Sequence, residues 1–249
     1  MHRPLRLRLD TAALQDNWRW LQERAGVPAG AAIKADGYGL GATEVMRALY
    51  DAGCRTFFVS TYAEADDLGP VPGDASLVVL HGVGADDAQA AVASSARPVL
   101  NSIEQVARWN AIAPERPTDA MIDTGMNRLG LRPEDIAALE GLQIDTLHSH
   151  LACADEDSKM NERQLGAFRE VAAAVPAKRY AIANSAAICL GREYSLDMVR
   201  PGLSLYGGIP RREAEGGIRQ VVRVDAQVVQ RRTIRAGESC GYGATFVAP

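Results

Sequence analysis

The amino-acid sequence alternates short apolar runs with longer amphipathic stretches along most of its length, and this alternation constrains the fold more than any other feature. The stretches between the runs carry apolar residues at spacings of three and four, as on one face of a helix. Ser102 and Gln105 have the spacing of a capping box, which predicts a helix start. Strands alternating with helices predict βαβ units and a parallel sheet. We predict strands at residues 31–35, 56–60, 76–80, 98–100, 120–123, 144–150, 179–184 and 197–200.

Eight strand–helix units are compatible with two architectures. A (β/α)8 barrel typically takes ~250 residues, which suits a chain of 249 residues. A doubly wound open sheet is the alternative. No Gly-x-Gly-x-x-Gly follows the first predicted strand, which disfavours the dinucleotide-binding form of that sheet. We therefore predict an α/β protein built as a TIM-like barrel.

The pattern changes near the carboxyl end of the sequence. Apolar and polar residues alternate with a period of two within residues 222–228, which predicts a half-exposed strand. Alternating leucines within residues 1–9 predict a strand that could pair with it. We predict a barrel domain over residues 10–215 and the beginning of a β-rich domain over residues 216–249. Because a stable sheet usually needs three or more packed strands, we expect the native chain to continue past Pro249.

Composition and charge exclude several classes of function. The net charge is −4 and the charged residues are scattered, which indicates neither a nucleic-acid nor a membrane surface. The first residues lack the apolar segment of a signal peptide, and no apolar run could span a bilayer, so we expect a cytoplasmic protein. Four widely spaced cysteines argue against a zinc site and a disulfide framework, and we predict no metal.

Candidate functional residues follow several of the predicted strands. In a parallel barrel, the residues that follow the carboxyl ends of the strands meet at one end, where catalytic groups lie. We expect His148, by contrast, to point to the opposite strand face and to pack under the helices. The residues expected to converge are Lys34, Arg128, His150, Asn184, Ser185, Arg200 and Gly202.

Two of these positions point to particular chemistry. Lys34 is one of only three lysines, and an apolar strand delivers it to a glycine-rich loop, where a shielded amine can form a Schiff base. Gly202 lies in a turn whose backbone N–H groups could bind a phosphate, with the Ser185 hydroxyl beside them. The residues alone leave two alternatives open. Lys34 could extend its amine to solvent, and the turn at Gly202 could be an ordinary turn that caps a helix.

Six motifs, in this order, resemble those of the alanine racemase family, from about Leu5 to Pro249. The resemblance implies a barrel that binds pyridoxal 5'-phosphate, followed by a β-domain, in a homodimer whose active sites are shared between subunits. It also implies interconversion of L-alanine and D-alanine, which supplies D-alanine for peptidoglycan. The motifs are AIKADGYG around Lys34, DTGMNRLG around Arg128, HLACAD from His150, NSAA from Asn184, RPGLSLYG from Arg200 and GYGAT around Tyr242.

The resemblance also implies a role for each site residue. Lys34 would hold the cofactor as an imine and act as one acid–base group, with Tyr242 as the other, reaching the partner subunit's cofactor. Two such groups on opposite faces of a planar carbanion are what racemisation requires. Arg200 would face the pyridine nitrogen, His150 would lie near the ring, and Arg128 would bind the substrate carboxylate. The residues implied to bind the phosphate are Tyr38, Ser185, Gly202 and Leu203.

Two departures from the family pattern keep alternatives open. Many relatives have a lysine where this sequence has Met121 and a histidine where it has Ala181. A racemase of broader or different substrate range, such as serine, is therefore an alternative. Another is a non-catalytic pyridoxal-phosphate-binding homeostasis barrel, although such proteins lack the motif around Tyr242. A decarboxylase on the same barrel would favour an acidic partner for the ring nitrogen, which Arg200 argues against.

Overall fold

The computed structural model describes residues 4–249, in which a ring of parallel strands is surrounded by helices. The strands are β1 (Leu5–Leu9), β2 (Ala31–Ala32), β3 (Thr56–Val59), β4 (Ser76–Val79), β5 (Arg97–Leu100), β6 (Thr118–Met121), β7 (Ile144–His148), β8 (Arg179–Ala181), β9 (Val222–Ala226), β10 (Ser239–Cys240) and β11 (Phe246–Val247). The helices are α1 (Thr11–Ala25), α2 (Lys34–Gly39), α3 (Ala42–Ala52), α4 (Tyr62–Leu68), α5 (Ala88–Ala93), α6 (Ile103–Ile112), α7 (Lys159–Ala174) and α8 (Ala187–Leu190).

Strands β2 to β8 form one parallel sheet of seven strands in the order of the sequence. Residues 197–201 close it into a barrel. Val199 forms a parallel bridge with Ala29, and the Arg200 N–H donates to the Ala183 carbonyl just past β8 at 2.9 Å. This segment takes the place of the predicted eighth strand, and the predicted TIM-like barrel is confirmed.

The barrel has a core on each side of the strands, because successive side chains of a strand point to opposite faces. Phe57 of β3 belongs to the large core between the strands and the helices, together with Trp18 of α1 and Phe168 of α7. Its neighbour Phe58 points the other way. A small cluster fills the barrel interior and consists of Ala32, Phe58, Val78, Val99, Met121, Ala181 and Met198.

His148 lies in the barrel interior, so the prediction that it packs under the helices was wrong. The ring is fully buried, and its centroid lies 6.0 Å from that of Phe58 in an edge-to-face contact. His148 is also in register with Met121 of the neighbouring strand, which belongs to the interior cluster. His150 lies two residues beyond the end of β7, so the alternation of that strand does not fix its direction.

Several predicted strands end earlier in the structure than in the prediction. Strand β2 stops at Ala32 because the chain turns into α2 at Lys34, and β7 and β8 stop at His148 and Ala181. The helix start predicted at Ser102 is present, and α1 begins with a similar cap at Asp10. The Asp10 carboxylate accepts from the Ala13 N–H at 2.9 Å, and the Ser102 hydroxyl accepts from the Gln105 N–H at 3.3 Å. The candidate site residues therefore lie in the loops that follow the strands.

The chain divides into two compact units, Leu9–Val222 and a second unit made of the described part of Met1–Arg8 with Arg223–Pro249. In the second unit β1 pairs with β9, as the alternating leucines predicted, and β10 pairs antiparallel with β11. Residues 1–3 of the predicted N-terminal segment lie outside the described residues. The domain boundary proposed near residue 215 remains a prediction. Within residues 4–249, no helix combines the length and apolar character needed to cross a lipid bilayer.

Candidate active site

A cavity of about 550 Å³ opens at the carboxyl ends of the barrel strands, an end that we call the mouth. The parallel strands all deliver their following loops to this end, which is why residues distant in sequence meet here. The structure brings together all eight barrel residues for which a role was predicted. They are Lys34, Tyr38, Arg128, His150, Ser185, Arg200, Gly202 and Leu203.

Lys34 is the first residue of α2, and a turn with unusual backbone angles follows it. The four residues that follow it, 35–38, have left-handed backbone angles, with φ of 52°, 52°, 63° and 58°. Such angles are unfavourable by ~1–2 kcal/mol for each residue other than glycine, so the surrounding structure must hold the turn. The Gly37 N–H donates to the Ile33 carbonyl at 2.8 Å, and the Asp36 carboxylate accepts from the Ala42 N–H at 2.8 Å. The turn sends the Lys34 and Tyr38 side chains to the same cavity.

Ser185 and Tyr38 form one corner of the cavity with the turn at Gly202. The Ser185 Oγ accepts hydrogen bonds from the Gly202 and Ser204 N–H groups, at 3.0 and 3.1 Å, which leaves its own proton free to donate. The Tyr38 ring stacks on Tyr206 with centroids 4.5 Å apart. Burial raises the pKa of Tyr38, so its hydroxyl keeps its proton at neutral pH.

This corner suits a phosphate group. It presents two hydroxyl donors, Tyr38 and Ser185, at the start of the short helix Leu203–Tyr206, where the first N–H groups have no intrahelical acceptor. A Cβ on Gly202 would lie 2.3 Å from the Tyr38 hydroxyl oxygen, so the close approach requires glycine. The donor set is uncharged and compact, as expected for a site that recognises a dianion by hydrogen bonds.

Arg200 is a buried cation beside the cavity. Its Nη2 donates to the Ser149 carbonyl at 2.7 Å, and its buried Nη1 has no partner among residues 4–249. Desolvation lowers the pKa of Arg200 to about 10 against the opposing charge of Asp119, so the guanidinium stays protonated at pH 7. A buried donor without a partner is costly. An acceptor in the cavity, such as an unprotonated pyridine nitrogen, would satisfy it.

His150 lines the cavity as a neutral imidazole. Burial lowers its pKa to about 3, and the positive charges of Arg200, Arg128 and Lys34 lower it in the same direction. At neutral pH the ring therefore carries no charge and can lie against a flat aromatic group. Pyridoxal phosphate has the features that this cavity matches, namely a ring nitrogen, a phosphate and an aldehyde that reacts with a lysine amine.

A buried polar network lies beneath Arg200 and was not predicted from the sequence. The Asp119 carboxylate accepts from His148 Nε2 at 2.9 Å and from Arg97 Nε at 2.5 Å. Burial, followed by the charge of Arg200, lowers the pKa of His148 to about 4 despite the opposing contact with Asp119. His148 is therefore neutral at pH 7 and its contact with Asp119 is a hydrogen bond. The sequence prediction missed this network because the strand predicted at 120–123 begins one residue after Asp119, whereas β6 begins at Thr118 and buries that carboxylate, which then needs partners.

The two departures from the family pattern lie in different places. Met121 lines the cavity and offers no charge to orient Arg128, which is exposed and forms no ion pair within the described residues. Ala181 lies in the barrel interior and presents no hydrogen-bonding side chain to Arg200. The Ser149 carbonyl is instead the observed partner of Arg200. The residues that line the cavity without having been predicted include Ser60, His81 and Met126.

Tyr242 lies in the β-rich unit, in the short 3-10 turn Tyr242–Ala244, and its side chain is fully exposed. Its role as a second acid–base group remains a prediction.

Comparison with known proteins identifies one family. Residues 9–210 match the family model described as alanine racemase, N-terminal domain. An alanine racemase of Methylobacterium nodulans is 43% identical over 98% of this chain and 69% of its own length. A catabolic alanine racemase of Agrobacterium fabrum is 41% identical over 97% of this chain and 66% of its own. The chain thus spans about two thirds of the length of these curated relatives.

Solved structures give the same result. The crystal structure of alanine racemase from Bartonella henselae with covalently bound pyridoxal phosphate superposes with a TM-score of 0.88 at 34% identity, covering 98% of this chain and 72% of that one. Biosynthetic alanine racemase from Pseudomonas aeruginosa superposes with a TM-score of 0.86 at 32% identity, covering 99% and 73%.

Proposed function

This chain belongs to the alanine racemase family, and from that premise we propose that it interconverts L-alanine and D-alanine with pyridoxal phosphate as cofactor. The observation that carries the proposal is the convergence of an amine, a phosphate-sized donor corner and a buried guanidinium in one cavity. These groups come from loops spread over much of the chain, and together they match the aldehyde, the phosphate and the ring nitrogen of the cofactor.

The cofactor is held, in this proposal, at three points. Lys34 binds its aldehyde covalently, Tyr38 and Ser185 bind its phosphate with the backbone at Gly202 and Leu203, and Arg200 donates to its ring nitrogen. Once bound, the cofactor supplies an electron sink that stabilises negative charge on the substrate α-carbon.

Proton transfer is assigned to Lys34 on one face and to Tyr242 on the other. Removing the α-proton from one face and returning a proton to the opposite face inverts the configuration, and one group cannot reach both faces of a plane. Tyr242 needs a cationic or hydrogen-bonding neighbour to accept a proton. The support for Tyr242 is its motif, GYGAT, which follows the other five in the family's order.

Arg200 controls the charge of the ring nitrogen. A guanidinium that keeps its proton can donate a hydrogen bond, but it cannot accept one as a carboxylate can. Arg200 would therefore leave the ring nitrogen of the bound cofactor unprotonated, which would limit how far negative charge spreads from the α-carbon into the ring. We propose that this limit favours return of the proton to the α-carbon over side reactions such as transamination.

Arg128 is assigned to the substrate carboxylate. An arginine fork matches the two carboxylate oxygens, and Arg128 reaches the cavity from the loop after β6. Met121 in the neighbouring wall contributes no charge, so Arg128 has freedom to adjust to its substrate. A racemase that also accepts serine is therefore a second candidate.

The assembly and setting are also proposals. We infer a cytoplasmic homodimer in which each active site receives Tyr242 from the partner, and whose D-alanine serves peptidoglycan synthesis. The support is the fully exposed Tyr242 and the family of the chain.

The direct test is a chiral assay on alanine, serine and several other amino acids, with this chain and with a chain extended through a complete β-domain. We expect the extended chain to convert both alanine enantiomers and this chain to bind cofactor with little turnover. A preference for serine would support the second candidate. Cofactor binding without conversion of any amino acid by the extended chain would contradict a racemase and support a carrier.

A further inference from the structure

Glu64 makes an unusual pair of contacts at the mouth. One carboxylate oxygen accepts from the Ala35 N–H at 2.9 Å, and the other accepts from the Ser60 N–H at 2.6 Å. Ala35 is the first residue after Lys34, and Ser60 is the first residue after β3. A single side chain thus ties the loop that carries Lys34 to the loop of the next strand.

Glu64 is itself held in place by the start of α4. Its N–H donates to the hydroxyl of Thr61, the N-cap of α4, at 3.2 Å. Thr61 and Glu64 have the spacing of a capping box, but the Glu64 carboxylate accepts from the Ser60 N–H instead of the Thr61 N–H. Glu64 is not among the residues that line the cavity. Any influence it has on chemistry must therefore pass through the backbone that it binds.

A similar arrangement recurs two strands further along the barrel. Gln105 stands three residues after Ser102, the N-cap of α6, and its N–H donates to the Ser102 hydroxyl. Its side chain accepts from the Asn101 N–H at 2.9 Å and donates to the His81 carbonyl at 2.9 Å. It also ties two consecutive loops. The residue type matches the partners, because Glu64 meets two donors whereas Gln105 meets one donor and one acceptor.

Glu64 and Gln105 hold different backbone segments. Glu64 holds the peptide that begins the left-handed turn 35–38, which contains three residues other than glycine with positive φ. The Asn101 N–H and the His81 carbonyl, which Gln105 holds, lie outside that turn. Only at Glu64 does the tie stabilise an unfavourable conformation adjacent to the proposed cofactor lysine.

We propose that Glu64 is a positioning residue that holds the Lys34 turn in its left-handed form, so that the lysine amine meets the cofactor aldehyde in a fixed orientation. The proposal rests on the proposed function, because it assumes that Lys34 binds the cofactor. A group held in its reacting geometry reacts faster than one that must first find it.

The test compares two isosteric exchanges, Glu64→Gln and Gln105→Glu, in the whole protein. Each exchange keeps the shape of the side chain. Glu64→Gln places an amide NH2 group against a backbone N–H, either of Ala35 or of Ser60. Gln105→Glu places a carboxylate oxygen against the His81 carbonyl. We expect Glu64→Gln to weaken retention of pyridoxal phosphate about tenfold or more, which corresponds to one lost hydrogen bond to a charged group. It should also diminish the visible circular dichroism of the bound cofactor, which reports its fixed orientation. Gln105→Glu should lower the thermal midpoint comparably and change neither readout.

A second variant tests the route of the effect. Ala35→Gly removes the penalty of a positive φ at that position. If Glu64 acts by holding the turn, the double variant Glu64→Gln, Ala35→Gly should regain part of the lost cofactor retention, even if Glu64→Gln alone is poorly folded. Equal effects of the two isosteric exchanges, or no rescue by Ala35→Gly, would overturn the proposal. Absence of the cofactor from Lys34 in the unaltered protein would instead overturn the proposed function.

Discussion

Gly202 leaves the space that the Tyr38 hydroxyl occupies, since a Cβ at Gly202 would lie only 2.3 Å from that oxygen. The two residues come from loops on opposite sides of the barrel closure, and their contact shapes the corner to which we assign the cofactor phosphate. The corner therefore depends on the absence of a side chain at one position as much as on the hydroxyl at the other.

Gly202→Ala should displace Tyr38 and weaken the binding of pyridoxal phosphate, measured by equilibrium titration of the cofactor. We expect a loss of about tenfold, the value of one hydrogen bond to a charged phosphate. The matched control is Gly166→Ala, in the exposed face of α7, where a Cβ meets nothing within 4 Å. That variant should leave cofactor affinity unchanged and stabilise the helix by about 0.5–1 kcal/mol. Equal affinities of the two variants would contradict the assignment of this corner.

His148 should make the stability of the barrel depend on pH. Its pKa is lowered from 6.5 to about 4 in the folded protein, so the unfolded chain binds the proton more tightly. Its contribution is complete above pH 6.5 and is lost as the pH falls towards 4, by about 3 kcal/mol at most. The measurement is the free energy of unfolding from pH 7 to pH 4 for the unaltered protein and for His148→Gln.

The glutamine variant places an amide near the position of Nε2, where it can still donate to Asp119, but it does not titrate. We therefore expect its unfolding free energy to fall less over the same pH range. Parallel pH curves for the two proteins would show that His148 is not the neutral buried group described above.

Tyr242→Phe should slow proton transfer on only one face of the substrate α-carbon. Because the enantiomers have equal free energies, kcat/KM must remain equal in the two directions, and net conversion cannot reveal a face-specific base. Exchange of the α-hydrogen with deuterium oxide can. In the complete enzyme, we expect the variant to keep exchange for one alanine enantiomer, through Lys34, and to slow it by about 100-fold or more for the other. The same slowing for both enantiomers would remove the case for Tyr242.

The barrel could be predicted from the sequence because its signal is repeated along the chain. Each strand–helix unit shows its own apolar run followed by apolar residues at helical spacing. The residues that follow the strands, such as Lys34 and Arg200, must then meet at the mouth. The strand ends were less predictable. Nothing in the local sequence shows that Ala35 and Asp36 adopt left-handed angles and so shorten β2.

The polar contacts between loops and strands could not be predicted for a related reason. Asp119 and His148 meet because of the register between β6 and β7, which the sequence of either strand does not contain. His148 was assigned to the wrong face because an error of one residue in the alternation reverses every side chain of a strand. Glu64 resembles any other residue of a capping box until the fold brings Ala35 to it.

Every proposed role at the mouth depends on a covalent bond between Lys34 and the cofactor. The chain has two other lysines, Lys159 at the start of α7 and Lys178 before β8, and both are exposed. Reduction of the cofactor-loaded protein with borohydride, followed by peptide mapping, identifies the lysine that carries the cofactor. We predict that the pyridoxyl label is found on the peptide containing Lys34, and that Lys34→Ala abolishes it together with the visible absorbance of the bound cofactor. A label on Lys159 or Lys178, or on no lysine at all, would contradict the account.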